Sequence, residues 1–354
     1  MQLFFSIYFF SGLASHQQKS DSHDQVPLSV IVCARNEFEN LQKLVPLIMS
    51  QNYSLFELIV INDRSNDDTE YYLKEIKDLY KDKLKVIVVE DTPPKMDPKK
   101  YAITLGIKAA SYDNVVFTDA DCYPTTKNWL MQMQTGFQLK KQINLGVSQY
   151  EEKKGFLNWF IRNESFYTAI QYLSFALKGI PYMGVGRNMA YNKRLFFENK
   201  GFHPFMDVTG GDDDLFINMV ANSKNTHIEY SYDAQTISYP KTSWKEWYRQ
   251  KTRHMAVGKL YKTKFKLLLG CLNISHILFY LFSIILICFD YTLYWVYGVI
   301  ILRLLINWIS FGIIIKKMRY KLSHWSIPAF DILYLFYYIA AGFNALRTKR
   351  IRWK

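Results

Sequence analysis

The chain has 354 residues, of which 49% are hydrophobic and 17% aromatic, and its formal net charge is +13. Its apolar residues concentrate into long runs from about Leu267 onward, which argues against a wholly soluble enzyme and indicates a soluble domain joined to a membrane domain. Nine Lys or Arg residues lie between Lys241 and Lys266, beside those runs, so the positive charge favours membrane anchoring over nucleic-acid binding.

Residues 1–25 are predicted to be a partial N-terminal membrane anchor followed by a polar linker. Met1 to Ala14 is apolar and uncharged, but as a helix it would span only about 21 Å, short of the roughly 30 Å hydrocarbon core. The segment also lacks the basic residues with which a signal peptide normally begins.

Residues 26–240 are predicted to form an α/β domain. Short β-rich runs alternate there with helical patterns, and such repetition predicts a Rossmann-like, mostly parallel sheet with ligands at the carboxyl ends of its strands. The first four strands are expected at 28–33, 56–62, 85–89 and 114–118, with helices at 39–50, 68–80 and 100–111. Looser patterns suggest strands at 145–149 and 183–191, a helix at 212–223 and an extended segment at 227–232.

The C-terminal third is predicted to lie on and in the membrane. Residues 241–266 combine basic and aromatic side chains, as an amphipathic interfacial helix does. Transmembrane segments are expected over 267–346, where 267–289 and 292–315 are long enough to cross and 327–346 is marginal. If all three crossed, the basic tail 347–354 would lie outside, against the positive-inside tendency, so a re-entrant or interfacial segment remains open.

Acidic side chains follow two of the predicted strands. Asp63 comes after the second strand, and Asp119 and Asp121 come after the fourth. Two carboxylates one residue apart suit a hard cation such as Mg²⁺ or Mn²⁺, which takes oxygen ligands completed by substrate phosphates. The alternatives are a solvated acidic turn for the Asp119 pair and a helix cap or turn for Asp63.

Three consecutive acids, Asp212 to Asp214, open a predicted helix after two glycines. Helix capping explains one of them, but three exceed what a cap needs, and like charges so close are expected to raise a pKa. This pattern favours a general base that takes a proton from an acceptor hydroxyl, worth about 10² to 10⁴ in rate.

No glycine occurs between Gly12 and Gly106. This excludes a Gly-rich phosphate loop after the first strand, so a nucleotide would have to be held by side chains and a metal. On the basic helix, Arg253 is a candidate for contact with a diphosphate, with Gln250 one turn away. The alternative is that this helix contacts only lipid phosphates.

Together these segments resemble the family 2 glycosyltransferases, which are inverting enzymes of the GT-A fold. VPLSVIVCARNEFENL is similar to the family's first strand and loop, NDRSNDDT to its second conserved acid, VVFTDADCYP to its DxD motif and GGDDDLFINMV to its base-bearing motif. QKTRH resembles the Q-x-x-R-W motif of membrane-bound members, with His254 in place of the Trp. The resemblance runs from about Val26 to Lys262.

The resemblance implies an inverting glycosyltransferase that moves a hexosyl or N-acetylhexosaminyl group from a nucleotide-sugar, expected to be a UDP-sugar, to a membrane-associated glycan or lipid. Asp212 is the implied base, with Asp213 still possible, and Arg253 stabilises the leaving group. Asp121 and Asp119 are the implied ligands of Mg²⁺ or Mn²⁺. The implied nucleotide-sugar-binding residues are Ala34, Asn36, Glu37, Asp63, Lys99, Asp119 and Gln250.

Several alternatives stay open. Within the class, the enzyme is either a polysaccharide synthase or a lipid glycosyltransferase that adds a single sugar. From other classes, a nucleotidyltransferase or a non-catalytic membrane scaffold would also combine an α/β sheet with apolar helices. The expected location is the cell (plasma or inner) membrane, multi-pass, with the catalytic domain cytoplasmic and the lipid bilayer, not nucleic acid, as partner.

Overall fold

The structure is a computed structural model that describes residues 1–18, 24–289 and 293–347. It divides into two compact units. The sheet unit contains residues 18, 24–151 and 179–240. The helical unit contains residues 1–17, 152–178 and the described residues from 241 to 347.

The described residues contain ten strands and fourteen α-helices. The strands are β1 (Leu28–Ala34), β2 (Phe56–Asp63), β3 (Leu84–Val89), β4 (Asn114–Phe117), β5 (Cys122–Pro124), β6 (Ile143–Leu145), β7 (Ser148–Tyr150), β8 (Met189–Asn192), β9 (Thr226–Ile228) and β10 (Thr236–Ser238). The helices are α1 (Gln2–Phe4), α2 (Ser11–Ser15), α3 (Phe38–Met49), α4 (Thr69–Tyr80), α5 (Pro98–Ala109), α6 (Trp129–Met133), α7 (Thr135–Gln138), α8 (Phe156–Leu177), α9 (Lys193–Glu198), α10 (Asp214–Val220), α11 (Trp244–Val257), α12 (Thr263–Cys288), α13 (Leu293–Lys317) and α14 (Ser326–Arg347).

The larger sheet has the strand order β3-β2-β1-β4-β8-β6-β9, and a smaller sheet has the order β5-β10-β7. Strands β1 to β4 are parallel, while β8 runs antiparallel to both β4 and β6. This confirms the predicted mostly parallel α/β sheet. Every residue of β2 is buried, as is nearly all of β1, and this explains their runs of branched apolar side chains.

The strand order places a topological switch point between β1 and β4. The chain passes outward from β1 to β2 and β3 and then returns to β4 on the other side of β1. At such a reversal the loops after the two central strands diverge and leave a crevice at their carboxyl ends. Helix α5 delivers the chain to β4; its N-cap is Asp97, whose side chain accepts the Lys100 N–H, and Pro98 occupies its first turn.

Two strand predictions were partly wrong. The single strand expected at 145–149 is two short strands, β6 and β7, which belong to different sheets. The chain changes sheets at Gly146, whose packing against Asn188 leaves no room for a side chain. The strand expected at 183–191 is regular only from Met189. In the preceding loop, residues 184–188, the Gly186 N–H donates to the Asp213 carboxylate and the Asn188 side chain donates to the Val147 carbonyl, instead of pairing with a neighbouring strand.

Two predictions near the C-terminal end of the sheet unit overestimated length. The helix expected at 212–223 is α10, Asp214–Val220, because Asp213 is its N-cap. The extended segment expected at 227–232 pairs with β6 only over Thr226–Ile228 and then turns at Tyr232–Ala234.

The helical unit contains a long helix that the sequence did not predict. Helix α8, residues Phe156–Leu177, is buried on nearly all sides, including Arg162, Asn163 and Glu164. These polar side chains have partners inside the unit: Glu164 pairs with Lys251, and Asn163 accepts from the Ser326 hydroxyl at 2.9 Å. The predicted domain of residues 26–240 is therefore interrupted, since 152–178 fold with the helical unit.

Three helices of the helical unit are long and apolar enough to cross a membrane. They cover Thr263–Cys288, Tyr294–Lys317 and Ser326–Asn344. A shorter apolar helix over Gln2–Ser15 packs against α12 and α13: the Gln2 amide donates to the Leu272 carbonyl at 2.8 Å, and the hydroxyls of Ser11 and Ser310 lie 2.9 Å apart. Within the basic segment 241–266, the regular helix is α11, Trp244–Val257.

Candidate active site

Lys99 is the centre of the polar cluster at the switch point. Its ammonium lies 3.0 Å from an Asp119 carboxylate oxygen and 3.3 Å from an Asp212 carboxylate oxygen. Lys99 is in the first turn of α5, Asp119 is two residues past β4, and Asp212 precedes α10. The fold therefore brings together three residues that are widely separated in the sequence.

These three side chains line a small cavity at the ends of β1 and β4. Its other walls include Cys33, Thr118 and Tyr191. The Thr118 and Tyr191 hydroxyls are buried and have no hydrogen-bond partner among the described residues. Buried polar atoms without partners are costly, and their presence at a crevice suits a polar ligand.

The two candidate bases have different environments. Burial alone would raise the pKa of Asp212, but Lys99 and Lys100 outweigh it and lower that pKa below its usual value. Burial and the neighbouring Asp212 raise the pKa of Asp213. The increase in pKa that crowding predicts is thus found for Asp213. For Asp212 that prediction was wrong, because two lysines face it and lower its pKa.

The carboxylate of Asp213 is occupied by backbone groups. One oxygen accepts the Asp214 N–H at 2.7 Å, which caps α10, and the other accepts the Gly186 N–H at 2.8 Å. Asp212 instead contacts Lys99 at the cavity. Of the two acids, Asp212 is the one whose side chain lines the cavity.

Lys100 positions the loop that carries Asp212. Its fully buried ammonium donates to the carbonyls of Val208 and Gly210, the latter at 2.6 Å. The two adjacent lysines thus have different roles. Lys99 contacts the acids, and Lys100 binds the backbone carbonyls of the loop that precedes Asp212.

Asp63 ends β2, next to β1, at the same edge of the sheet. Its two carboxylate oxygens accept from Arg64, Nε at 2.8 Å and Nη2 at 3.2 Å. Arg64 adopts a left-handed backbone with a φ of 54°, which turns its side chain back onto its neighbour. Both oxygens of this predicted nucleotide-sugar-binding residue therefore accept from the neighbouring guanidinium.

The predicted nucleotide-binding loop after β1 is braced by the loop after β2. Ala34 is the buried last residue of β1. The Asn36 amide oxygen accepts the Asn66 N–H at 2.7 Å, and the Glu37 N–H donates to the Thr69 hydroxyl at 3.1 Å. These bonds hold Ala34, Asn36 and Glu37 beside Asp63.

Asp119 and Asp121 were predicted to bind Mg²⁺ or Mn²⁺. Within the described ranges, no three His, Cys, Asp or Glu side chains converge on a cation-sized site. Mg²⁺ usually uses one or two carboxylates plus substrate phosphates rather than a cage of protein ligands, so an Asp pair fits such an ion. One Asp119 oxygen lies 3.0 Å from the Lys99 ammonium, and one Asp121 oxygen lies 3.5 Å from the Cys122 sulfur.

Gln250 and Arg253 lie on α11 in the helical unit. A guanidinium nitrogen of Arg253 lies 3.4 Å from the His254 ring nitrogen, so the residue that replaces the motif's Trp contacts the motif's Arg. On the same helix Lys251 pairs with Glu164 of α8.

Three polar residues of the site were missed from the sequence. Cys33 and Tyr191 line the cavity, and Arg187 precedes the strand that carries Tyr191. A usable signal was Gly184-Val185-Gly186, because glycines ahead of a strand often mark close approach of the backbone to another group. The Gly186 N–H indeed donates to Asp213.

The parallel sheet, the crevice at its switch point and the acids after its strands define an α/β domain of the GT-A type. Residues 29–198 match the family model described as glycosyl transferase family 2. The chain therefore carries a family 2 glycosyltransferase domain of the GT-A fold.

Known proteins agree with this assignment. The chain is 34% identical over 100 residues to poly-beta-1,6-N-acetyl-D-glucosamine synthase of Staphylococcus epidermidis, covering 28% of this chain and 23% of that protein. It is 28% identical over 148 residues to 4,4'-diaponeurosporenoate glycosyltransferase of Staphylococcus aureus, covering 41% of this chain and 38% of that protein. The alignments thus span well under half the length of both curated relatives.

The same fold is found in a solved structure, the mannosyltransferase PcManGT of Pyrobaculum calidifontis in complex with GDP-Man and Mn²⁺. Its TM-score is 0.57 at 17% identity, over 72% of this chain and 69% of that chain. At this identity the similarity establishes the fold alone.

Proposed function

We propose that this chain is an inverting, membrane-bound glycosyltransferase that moves a sugar from a nucleotide-sugar to a membrane-associated glycan or lipid. The observation that carries the proposal is that Asp119 and Asp212 meet on Lys99 in one cavity at the switch point. A scaffold has no need for a half-buried cluster of charges of this kind, and a nucleotidyltransferase would need a Gly-rich phosphate loop after β1.

Asp212 is the proposed general base. Its lowered pKa keeps it ionised at neutral pH, and it lines the cavity, whereas the oxygens of Asp213 accept backbone N–H groups. In the step, the acceptor hydroxyl passes its proton to Asp212 while its oxygen bonds to the anomeric carbon. The bond from that carbon to the diphosphate oxygen breaks on the opposite face, which inverts the centre and releases the nucleoside diphosphate.

The remaining predicted residues hold the donor. Asp63 accepts N–H groups of the base, the loop with Ala34, Asn36 and Glu37 borders the nucleoside, and Lys99 with Asp119 orients the sugar-diphosphate. Asp121 would hold Mg²⁺ or Mn²⁺, which supplies charge neutralisation at the diphosphate when bound. Arg253 and Gln250 lie on α11 of the helical unit, and their contact with the leaving group stays a prediction from the motif.

The relatives support both kinds of acceptor and leave the donor base open. One is named as a poly-beta-1,6-N-acetyl-D-glucosamine synthase and the other as a 4,4'-diaponeurosporenoate glycosyltransferase, so a growing glycan and a single non-polymeric acceptor are both supported. The Pyrobaculum neighbour was solved with GDP-Man and Mn²⁺, which supports a divalent metal and adds GDP-sugars to the expected UDP-sugars. Basic residues beside the apolar helices support a cell-membrane location with the catalytic side cytoplasmic.

The test is transfer by the full chain in detergent, with Mn²⁺ and a panel of labelled UDP- and GDP-sugars. We expect Asp212→Asn to lower the transfer rate about 10² to 10⁴-fold, as loss of a general base does. Binding of the nucleoside diphosphate should stay within about threefold of wild type, since Asp212 acts on the acceptor.

Asp213→Asn is the matched comparison. It leaves one side-chain oxygen to accept from the Asp214 and Gly186 N–H groups, so we expect lower thermal stability with a smaller loss of transfer than in Asp212→Asn. If both asparagine variants transfer sugar at the wild-type rate, the assignment of the base is wrong.

A further inference from the structure

Arg187 lies beside the Asp-x-Asp motif. Its guanidinium carbon is 4.4 Å from the centre of the Tyr150 ring. Burial alone would lower the pKa of Arg187, but Tyr150, Asp121 and Asp119 are close enough to outweigh it and raise that pKa. The side chain is therefore a permanent cation next to the proposed diphosphate and metal ligands.

The guanidinium is incompletely satisfied. Its Nη1 atom is hidden from solvent and has no hydrogen-bond partner in the part of the chain that the structure describes. A buried N–H of a charged group that bonds to nothing costs free energy, and the cost is recovered when an acceptor arrives. Stacking on Tyr150 supports the flat face of the group but leaves its N–H edge to another partner.

The backbone around Arg187 is held from several sides. The buried Asn188 amide donates to the carbonyls of Val147 and Ala234, both at 2.7 Å, and accepts from the Trp129 indole at 3.0 Å. The Arg187 carbonyl accepts from the Thr236 hydroxyl at 3.1 Å. These bonds fix where the side chain begins, so its position is set before a ligand binds.

Two other cations at this edge of the sheet, Lys99 and Arg64, already have carboxylate partners. Lys99 pairs with Asp119 and Asp212, and Arg64 pairs with Asp63. Arg187 has no carboxylate within ion-pair distance among the described residues, although two aspartates lie near it. It can thus meet an incoming anion without first giving up a salt bridge.

We propose that Arg187 is a phosphate-binding residue, whose guanidinium donates to the phosphoryl oxygens of a substrate. The planar fork of an arginine matches such oxygens, which accept several N–H groups at once. The inference rests on the proposed function, in which the donor carries a diphosphate and a phosphate-linked lipid acceptor would carry another. Because Asp119 and Asp121 adjoin Arg187, the donor's diphosphate is the expected source.

The experiment measures binding and turnover of the full chain in detergent. Calorimetry with UDP and GDP in the presence of Mn²⁺ identifies the preferred nucleotide, and competition gives the affinity of its parent nucleoside. We expect Arg187→Met to weaken the nucleoside diphosphate about ten- to a hundredfold, as loss of a charge-assisted hydrogen bond does, and to leave the nucleoside unchanged. Arg187→Lys should recover part of that loss, because it keeps the charge without the fork.

Arg194→Met is the matched control, because Arg194 is exposed on α9 and pairs with Asp113 at the surface. It should bind nucleotides as wild type does. Thermal unfolding of each variant shows whether Arg187→Met has lost structure; a fall in stability with equal loss of nucleoside and nucleotide binding would indicate a structural role and overturn the inference.

Turnover separates the two sources of phosphate. If the acceptor supplies it, Arg187→Met keeps the affinity for the nucleoside diphosphate and raises the KM for a polyprenyl-phosphate acceptor. If affinity and both KM values are unchanged, the inference is wrong while the proposed function stands. If wild type binds the diphosphate through Arg187 but transfers no sugar from any donor, the proposed function fails and the inference stands.

Discussion

At the scale of single residues, the site depends on how Lys99 distributes one positive charge between two acids. Asp119 and Asp212 each lie within ion-pair distance of it, and the two carboxylates would otherwise face one another across a poorly solvated cavity. Burial alone would lower the pKa of Lys99, but these acids raise it well above its usual value, so the residue stays charged. This arrangement keeps Asp212 ionised and ready to accept a proton.

Lys99→Met should therefore change the pH dependence of transfer. Asp212 has a lowered pKa because lysines face it; without Lys99, burial has more weight and that pKa rises. As the solution is acidified, Asp212 then becomes protonated at a higher pH than in wild type. The acidic limb of the kcat/KM profile therefore moves to higher pH. At pH 7 we expect transfer to fall about tenfold or more.

The measurement is the pH–rate profile of wild type, Lys99→Met and Lys108→Met, the last from the exposed side of the same helix. The control profile should coincide with wild type. An acidic limb that stays in place in Lys99→Met would show that Asp212 does not set it.

Sequence reasoning found the acids of the site because each follows a strand that is easily recognised. Asp63 and Asp119 come after runs of buried, branched apolar residues, and such runs predict strands whose ends share one edge. Arg187 and Tyr191 gave no such signal. Their roles depend on long-range contacts, such as those of Asn188 with Val147 and Ala234, which no local pattern encodes.

At the scale of elements, helix α8 shows where pattern reading fails. An amphipathic helix is recognised by one apolar stripe, but α8 is buried on nearly all sides and places Arg162, Glu164 and Gln171 inside. Its polar residues therefore fall at positions where a stripe would have apolar ones. By contrast β2 was predicted to within one residue, because a strand buried on both faces is a continuous apolar run.

Arg303 of α13 forms a buried ion pair with Asp331 of α14. Its guanidinium donates to both Asp331 oxygens, at 2.7 and 3.0 Å, and is only 1% exposed. His276 and Tyr280 of α12 also contact Asp331, so three helices meet at one carboxylate. Gln2 accepts from Arg303 as well, which ties the N-terminal helix to the same group.

We expect Asp331→Asn to destabilise the full chain by about 3 to 5 kcal/mol, because it leaves the Arg303 charge buried and unpaired. The double variant Arg303→Leu, Asp331→Leu should recover most of that loss, since two apolar side chains need no partner in an apolar environment. Thermal unfolding in detergent measures both, with the exposed Asp78→Asn as a control. A double variant less stable than Asp331→Asn would contradict this account.

At the scale of the whole molecule, the charges at the ends of α12 and α13 bear on orientation. Lys264 and Lys266 lie in the first turn of α12, and Lys316 and Lys317 end α13, whereas the apolar end of α12 at Cys288 is uncharged. If both helices cross, their basic ends lie on the same side, as the positive-inside tendency requires. This consistency for two crossings supports the proposed cytoplasmic position of the basic ends.

The chain carries a native reporter for this orientation. Cys288 and Cys271 are both exposed on α12, Cys288 at its end and Cys271 inside its apolar run, while Cys33 and Cys122 lie within the sheet unit and Cys122 is buried. We expect a membrane-impermeant maleimide to label Cys288 in right-side-out vesicles and not in inside-out vesicles, with Cys288→Ser abolishing the signal. In that serine background, Lys321→Cys should label only in inside-out vesicles, because it follows the basic end of α13.

Labelling of both positions from the same side would mean that α13 enters the membrane without crossing it. The charge argument would then fail for α13, although the 24 residues of the apolar helix Tyr294–Lys317 suffice for a crossing. Length sets which helices can cross, whereas the placement of lysines sets the direction, so the two kinds of evidence are independent. If the labelling experiment agrees with both helix length and lysine placement, it also shows from which side of the membrane the enzyme receives its nucleotide-sugar.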